Sequence, residues 1–433
     1  MNSKRFVVLD LGTSDIKCGC VEASGAVVFR HKRRFPLIRN GNTWEIDFEA
    51  FREISGNLVR ECLTKMASQR TEAEALLVTS QAQTFAPVDA DFRPLRRGLV
   101  WLDERAAKEA AELDKSLPDF SAAAGFARPA AAQYVSKLLW LKRHEPTLFQ
   151  AARAFPLLNE FFVYKLTGQF FSDSTNFGMG GVYDFRQNGL NRNVLRILEL
   201  SESHFPNVVP AATRGELISG QIQEQWGLSK RFPVFLCGND QGASACGAGV
   251  RRAGDVALNL GTAMVLYTVT DSLVTALTDA QISGKHPVGD DYFLLNFEPD
   301  FGLKMRRLKE VFFPNGTYDD LYRTYFQFNG NEMQKARVDE SDWQNLTGTE
   351  ALRFCAGEIH SFVRNLKAHW DQIKKTAPVH RIFLSGGMTR SPLLVKIVTD
   401  VLQRPVHLRQ QVEAGLMGAV QIFLDQKSRR TQR

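Results

Sequence analysis

A glycine–threonine loop occurs twice in this chain, each time directly after a short apolar strand. The first copy, Asp10 to Ser14 (sequence DLGTS), follows Phe6 to Leu9, and the second, Asn259 to Ala263 (NLGTA), follows Val256 to Leu258. Backbone N–H groups and the threonine hydroxyl of such a turn can bind an anion, so a pair of copies indicates a clamp on phosphates. A single copy would more often be a plain hairpin turn. The repetition also suggests two similar domains facing each other across a cleft.

A third turn places an aspartate between a strand and a helix. Residues 237–240 (CGND) close the apolar run Val234 to Leu236 and open a stretch of small residues. Asp240 has two compatible roles there. It can cap the helix N-terminus, which is the commonest role of an Asp at such a turn, or it can accept a proton from a substrate hydroxyl.

A fourth turn carries a glycine pair. The predicted strand Arg381 to Leu384 runs into Gly386 and Gly387, and a helix follows with Ser391 as its N-cap and Pro392 at its first position. Glycines at such a place let a flat ligand lie against the backbone.

Taken together and in this order, the four turns resemble those of the FGGY carbohydrate kinases, the ATP-dependent sugar and polyol kinases of the actin-like fold. Within that family the chain is most similar to the xylulokinases. The resemblance covers nearly the whole chain and includes the stretches 80–83 (SQAQ), 94–97 (PLRR), 101–106 (WLDERA), 137–142 (KLLWLK), 164–168 (YKLTG) and 413–419 (EAGLMGA).

That resemblance implies an α/β fold with two actin-like (ribonuclease H-like) domains, residues 1–249 and 250–433, on either side of a nucleotide and sugar cleft. It implies ATP and Mg²⁺ as cofactors, Asp240 as the catalytic base, and Asp10 as the Mg²⁺ residue, directly or through water. The implied phosphate and nucleotide residues are Gly12, Thr13, Ser14, Lys17, Gly261, Thr262, Gly386, Gly387 and Met388. For Lys17, phosphate contact and simple exposure are equally compatible with its strand position.

The implied substrate residues are Gln81, Gln83, Trp101, Asp103, Arg105, Asn239 and Asp240. Similar xylulokinases have a histidine where this chain has Gln83. Glutamine can donate and accept hydrogen bonds but carries no charge, so a polyhydroxylated acceptor fits while the particular sugar stays open. Trp101 can offer an apolar face to a sugar or belong to the core. Asp103 and Arg105 can bond hydroxyls or pair with each other.

A departure from the family keeps a second hypothesis open. The stretch from Lys285 to Gly348 is shorter than is usual in the family and contains Glu298 and Asp300, which would repel a triphosphate unless they point away. The alternative is a catalytically weak homologue that binds sugar or nucleotide as a regulator. A filament-forming or chaperone ATPase ranks last, because it would not need the motifs around Gln81 and Trp101.

Composition agrees with an ordinary enzyme. The chain has 433 residues, of which 44% are hydrophobic and 23% charged, a length that fits two domains with a break near 249–254. Its six cysteines have no disulfide spacing, and only four apolar residues precede Asp10, so we expect free thiols and a cytoplasmic location. The net charge of +7 lies in runs without interleaved aromatics, so we expect a small-molecule partner, no nucleic acid and no membrane; a homodimer is left open.

The pattern of apolar residues predicts alternating strands and helices. Strands near 5–10, 16–22 and 25–34 form a meander, and 75–79 is a further buried strand. A long helix is predicted to start with a capping box formed by Thr347 and Glu350 and to end before Pro378. We expect no metal site built from histidine or cysteine.

Overall fold

Each of the two glycine–threonine loops joins a pair of antiparallel strands in the computed structural model, which describes residues 4–228, 231–328, 340–409 and 413–432. The described strands are β1 (Arg5–Leu11), β2 (Asp15–Glu22), β3 (Val27–Arg34), β4 (Ile38–Asn40), β5 (Thr43–Ile46), β6 (Leu76–Ser80), β7 (Gly98–Leu99), β8 (Phe171–Asp173), β9 (Tyr183–Asp184), β10 (Gly189–Leu190), β11 (Asn207–Val209), β12 (Gly215–Leu217), β13 (Pro233–Asn239), β14 (Asp255–Leu260), β15 (Met264–Thr270), β16 (Gln281–Lys285), β17 (Tyr292–Glu298), β18 (Arg381–Ser385) and β19 (His407–Arg409).

The described α-helices alternate with these strands, as the sequence pattern predicts. They are α1 (Phe48–Ser68), α2 (Ala107–Ser116), α3 (Phe120–Ala124), α4 (Tyr134–His144), α5 (Pro146–Ala151), α6 (Leu158–Thr167), α7 (Ser174–Phe177), α8 (Arg192–Leu198), α9 (Gly220–Gln225), α10 (Asp240–Ala248), α11 (Phe301–Phe312), α12 (Tyr318–Gln327), α13 (Gly348–Thr376), α14 (Pro392–Leu402) and α15 (Ala414–Gln432).

Contacts divide the chain into two units. The first comprises residues 1–251, 270–294 and 413–433, and the second comprises residues 252–269 and 295–412. The first boundary falls inside the predicted break near 249–254. The division differs from the predicted limits, 1–249 and 250–433, because two later segments belong to the first unit.

The first unit is built on a sheet of strand order β12-β13-β6-β1-β2-β3. Strands β1 and β13 run parallel to β6, whereas β2 runs antiparallel to β1. Alternate residues of β1 enter two different cores. Val7 and Leu9 pack with the buried face of α1, and Phe6 and Val8 pack with the apolar residues of α15. This period of two shows that helices cover both faces of the sheet.

The second unit is built on strands in the order β17-β15-β14-β18-β19, with β14 and β18 parallel. Helix α13 buries one stripe that includes Ile359, Leu366 and Trp370, as the sequence predicts, and it ends just before Pro378. The predicted capping box is wrong: Thr347 is the N-cap residue, but its side chain makes no cap hydrogen bond.

Candidate functional site

The first glycine–threonine loop is held by the side chains of two residues of the same unit, Gln81 and Trp101. Gly12 is required there, because a Cβ would lie 2.6 Å from the Asp15 carbonyl oxygen. The Thr13 hydroxyl donates to Gln81 Oε1 (3.2 Å) and accepts from Trp101 Nε1 (2.8 Å), and Gln81 Nε2 donates to the Gly12 carbonyl (3.2 Å). Gln81 is only 2% exposed. The structure therefore gives Gln81 a supporting position behind the loop, which differs from the predicted contact with substrate.

Asp10, at the end of β1, belongs to a row of alternating charges. Lys17 Nζ lies 3.8 Å from Asp10 Oδ2 and 3.5 Å from Glu413 Oε2, and Arg30 Nη1 lies 2.7 Å from Glu413 Oε1. Burial raises the pKa of Asp10 to about 6, with Lys17 opposing this rise and Glu413 adding to it. Lys17 is thus neither simply exposed nor free, since it bridges two carboxylates.

A hard cation would fit beside Asp10. Its Oδ1 atom is buried and accepts no hydrogen bond from any residue that the structure describes. A carboxylate oxygen left in that state is costly unless a cation or water meets it. One carboxylate of this kind, with water and substrate phosphates as the other ligands, is the donor set that Mg²⁺ commonly takes.

Asp240 is the first residue of α10, directly after β13. The residue as a whole is partly exposed. The pKa of its carboxyl group is raised to about 7 by burial first and by Asp10 second, against the opposing effects of the Gln241 backbone and Lys17. The predicted capping role falls to its neighbour: Asn239 Oδ1 accepts from Gly242 N at 2.7 Å. Capping, one of the two roles that the sequence left open for Asp240, is therefore taken by Asn239.

Asn239 is also buried, with 1% of its surface exposed, and its Nδ2 donates to the Thr175 carbonyl at 3.1 Å. Both ends of its amide are thus engaged by the protein. This position fits a residue that holds the turn better than the predicted substrate contact.

Parallel strands explain why these residues come together. Leu11 of β1 and Asn239 of β13 both pair with Ser80 at the end of β6. Because the carboxyl ends of parallel strands meet at one edge of a sheet, the turns that begin at Gly12, Gln81 and Asp240 lie side by side.

Two other predicted substrate residues, Asp103 and Arg105, pair with each other. Asp103 is fully buried and accepts from Arg105 Nε and from Trp44 N, at 2.8 and 2.7 Å. Arg105 also donates to Glu45 Oε1 at 2.9 Å. The structure thus favours the pairing alternative over bonds to substrate hydroxyls. Gln83 and Trp101 keep partly exposed side chains, and Gln83 has a left-handed backbone with φ of 65°.

The second unit carries the other predicted phosphate loop beside the glycine pair. Gly261 and Thr262 follow β14, and Gly386 follows β18, which is parallel to β14. Gly386 has φ of 106°, and a Cβ there would collide with the Leu260 carbonyl oxygen, so only glycine fits. Gly387 is exposed and has open space beside it, and Met388 is partly exposed. This unit therefore gathers its five predicted nucleotide residues at one edge of its sheet.

The two carboxylates expected to repel a triphosphate differ in their surroundings. Glu298 Oε1 lies 3.3 Å from His369 Nε2, so it has a partner of its own. Asp300 is exposed at the start of α11 and makes no side-chain cap hydrogen bond. The same helix touches the phosphate loop through its backbone, because Gly302 N donates to the Thr262 carbonyl at 2.8 Å.

The prediction of the site from the sequence missed two residues, Glu413 and Lys137. Glu413 lies in a stretch that the family resemblance includes, but nothing in the sequence indicates its ion pairs with Lys17 and Arg30. Lys137 is fully buried, although a lysine in a helix usually predicts a solvated side chain. Both positions depend on contacts that are distant in sequence.

All six cysteines are free and buried. Across the described ranges, the structure contains neither a helix that is long and apolar enough to span a membrane nor a group of three or more His, Cys, Asp or Glu side chains arranged to hold a metal ion.

Comparison with known proteins identifies the family. Residues 6–247 match the N-terminal domain of the FGGY family of carbohydrate kinases, and residues 344–422 match its C-terminal domain. The chain therefore belongs to the FGGY family of carbohydrate kinases, and the resemblance inferred from its motifs is confirmed.

The similar proteins are named for different kinase activities. The chain is 25% identical to the xylulose kinase of Escherichia coli over 67% of its own length and 60% of that kinase, so the match leaves more than a third of the relative uncovered. It is 21% identical to the L-fuculokinase of the same organism over 97% of its length and 92% of the relative. The crystal structure of xylulose kinase from Rhodospirillum rubrum superposes with a TM-score of 0.87 at 20% identity, over 98% of this chain and 90% of that one. The predicted α/β fold of the actin-like kinases is confirmed by this likeness.

Proposed function

We propose that this protein transfers the γ-phosphoryl group of ATP to a hydroxyl of a sugar or polyol, such as xylulose or a related ketose. One observation carries the proposal. Asp240, partly exposed, stands at the same sheet edge as Asp10 and the Gly12 loop. Phosphoryl transfer needs a base at the acceptor, a cation site and donors for phosphate oxygens, and these three features supply them.

Asp240 would act as the base. Because burial and Asp10 raise its pKa to about 7, the carboxyl group exchanges its proton near neutral pH, as a group that accepts and later releases a proton requires. Asp10 would hold Mg²⁺, which when bound neutralises charge on the phosphates. The backbone N–H groups of Gly12, Thr13 and Ser14 and the Ser14 hydroxyl would face the transferring phosphate. The Thr13 hydroxyl already donates to Gln81 and accepts from Trp101.

The second unit would bind the nucleotide. Gly261 and Thr262 present a turn suited to phosphate oxygens, and the exposed pair Gly387 and Met388 would lie under adenosine. Glu298 has a partner in His369, which weakens the argument for charge repulsion that motivated the regulator hypothesis.

The proposal leaves the identity of the acceptor open, so the test uses a panel of candidate acceptors. ADP release is measured with ketopentoses, ketohexoses and polyols, for the wild type and for Asp240→Asn. We expect ADP release with one or a few of these compounds, and a loss of about two to four orders of magnitude in Asp240→Asn with nucleotide binding retained.

Asp400→Asn is the matched control, because Asp400 is an exposed carboxylate on the surface of α14 that pairs with Lys396. A wild-type protein that binds sugar and ATP but releases no ADP would favour the regulator. Turnover by Asp240→Asn at the wild-type rate would remove Asp240 from the chemistry. Location in the cytoplasm and the oligomeric state stay predictions from the sequence.

A further inference from the structure

Lys137 is a charged side chain with no access to solvent. It lies on α4, is 0% exposed, and its ammonium group donates to two backbone carbonyls, those of Gln83 (3.0 Å) and Val100 (2.9 Å). Burying an ammonium group costs free energy unless it is hydrogen-bonded. The two hydrogen bonds therefore offset the cost of burying Lys137.

The two carbonyls belong to separate segments, each next to a partly exposed residue of the candidate site. Gln83 sits in the left-handed turn after β6, and Val100 directly precedes Trp101. These segments also meet through Trp101 N, which donates to the Thr84 hydroxyl at 3.2 Å. The indole Nε1 of Trp101 in turn donates a hydrogen bond to the Thr13 hydroxyl of the phosphate loop.

The charged groups around Lys137 are few. Burial lowers the pKa of Lys137 to about 7, while Asp103 opposes that fall and Arg105 adds to it. The Phe85 ring centroid lies 5.8 Å from Nζ. A neutral amine still has two N–H donors, so both carbonyls can be bonded in either protonation state.

We propose that Lys137 is a positioning residue that fixes the spacing between the Gln83 turn and Trp101 and thereby sets the affinity for the acceptor. Its action on the acceptor rests on the proposed function, whereas its action on the two segments does not. The side chain touches neither reacting groups nor nucleotide residues. It would act through the carbonyls of Gln83 and Val100.

The test compares Lys137→Met with Lys142→Met. Lys142 lies on the same helix and also donates to a backbone carbonyl, that of Ile197 at 2.9 Å, but away from both segments. Amide hydrogen exchange is measured by mass spectrometry on the full-length protein. We expect faster exchange in peptides spanning 81–85 and 98–103 in Lys137→Met, and wild-type exchange there in Lys142→Met.

Kinetics of the same variants test the consequence for the acceptor. We expect the acceptor KM to rise by about tenfold in Lys137→Met, as when hydrogen bonds that fix a site are lost, with the KM for ATP unchanged. Equal changes in both KM values, or wild-type exchange in the two segments, would overturn the proposal. Lys137→Gln, which keeps an N–H donor, is the second variant if Lys137→Met does not fold, with the same expected pattern at smaller size.

The two proposals fail in different ways. A wild-type protein that phosphorylates no compound of the panel would contradict the proposed function. The exchange measurement would still decide whether Lys137 ties the two segments together, because it needs neither ATP nor an acceptor.

Discussion

Glu160 shows how strongly burial alone can act on a single carboxyl group. It is fully buried at the start of α6, where its Oε2 accepts from Leu157 N at 2.8 Å. Burial raises the pKa of Glu160 to about 8, an effect that Asp173 increases and that the Ser172 side chain and the Leu157 backbone N–H oppose. The folded protein therefore keeps this proton over a range in which the unfolded chain releases it.

This difference predicts a pH-dependent stability. The contribution of Glu160 should be fully present below about pH 4.5, decline by at most about 1.4 kcal/mol per pH unit, and be lost by about pH 8. Glu160→Gln, whose Oε1 can still accept from Leu157 N, should lack this decline. The measurement is the free energy of unfolding by denaturant at several pH values for both proteins.

Glu112→Gln is the control for that comparison, because Glu112 is an exposed carboxylate on α2 whose pKa is lowered by its hydrogen bond from Arg143. Glu112 therefore stays ionised between pH 5 and 8, and in that range this variant should run parallel to the wild-type curve. A Glu160→Gln curve parallel to the wild type from pH 5 to 8 would show that Glu160 titrates normally.

Gln83 carries a prediction about specificity that depends on the proposed function. Gln83 is partly exposed. The resemblance to the xylulokinases implies a histidine at this position. Gln83→Ala should lower kcat/KM for the acceptor by about 1 to 3 kcal/mol with nucleotide affinity kept. Gln83→His should shift preference toward xylulose. The ratio of kcat/KM for two sugars is measured together with the melting temperature.

Backbone strain must be separated from lost contacts in that experiment. Gln83 has φ of 65°, a conformation that costs alanine about 1 kcal/mol. Gln403→Ala is the matched control, because Gln403 is exposed at the end of α14 with φ of 50°. An unchanged sugar ratio with a melting temperature lowered as in the control would remove Gln83 from the substrate site.

Single residues also mark the limit of prediction from sequence. The turn at 239–240 was found because small residues and an apolar strand are local signals, but neighbouring Asn239 and Asp240 are equally good caps by type. Only the fold shows that Asn239 takes the cap. The burial of Lys137 was beyond reach because it depends on carbonyl groups that are distant in sequence. For Asp103 and Arg105 the sequence offered the pairing only as one of two alternatives, and the fold is needed to choose it.

At the scale of elements, α10 and α15 pack backbone against backbone. A Cβ at Gly247 would collide with the Ala414 carbonyl oxygen, and one at Gly418 with the Ala243 carbonyl oxygen. Asp240 begins the first helix and Glu413 directly precedes the second. The small residues of the sequence at 241–249 and 414–419 therefore serve a close helix crossing that brings two charged site residues near Asp10.

Gly418→Ala should push these helices apart. Although alanine favours a helix by up to about 1 kcal/mol over glycine, overpacking against a backbone carbonyl should cost about 1 to 3 kcal/mol and leave a net loss of stability. Gly220→Ala is the control, because nothing lies within 4 Å of a Cβ at Gly220 on α9. Thermal unfolding decides the matter: an unchanged or higher melting temperature for Gly418→Ala would mean that the crossing can relax.

Elements were predictable where their pattern is local. Short apolar runs located β1 and β6, and alternating residues located β2. The apolar stripe of α13 is correct except at its first turn, where Thr347 and Glu350 do not form the expected box. The place of α15 in the first unit was not predicted, since no local pattern tells a helix which sheet it will cover.

At the scale of the whole molecule, the first unit is assembled from three separate stretches of chain. Its core includes Leu416, Val420 and Phe423 of α15 packed with Phe6 and Val8 of β1. Deleting residues 413–433 should therefore expose one face of the first sheet, with loss of near-UV circular dichroism and gain of dye binding.

Deleting only residues 427–433 is the matched control. Residues 427–431 are exposed, and the shorter deletion keeps the bond from Gln426 Nε2 to the Pro287 carbonyl. This variant should keep native circular dichroism and cooperative unfolding. Native behaviour of the longer deletion would show that the first sheet needs no cover from α15.

The return of α15 to the first unit sets an order of events during protein synthesis. Domains usually fold from the N-terminus as the ribosome produces them. Here β1, the strand that bears Asp10, is synthesised first. The core on one face of this strand is complete only when residues 414–432 have left the ribosome, roughly four hundred residues later. At a translation rate of about 5 to 20 residues per second, this delay is on the order of a minute. During it, chaperones need to cover the apolar side chains of Phe6 and Val8.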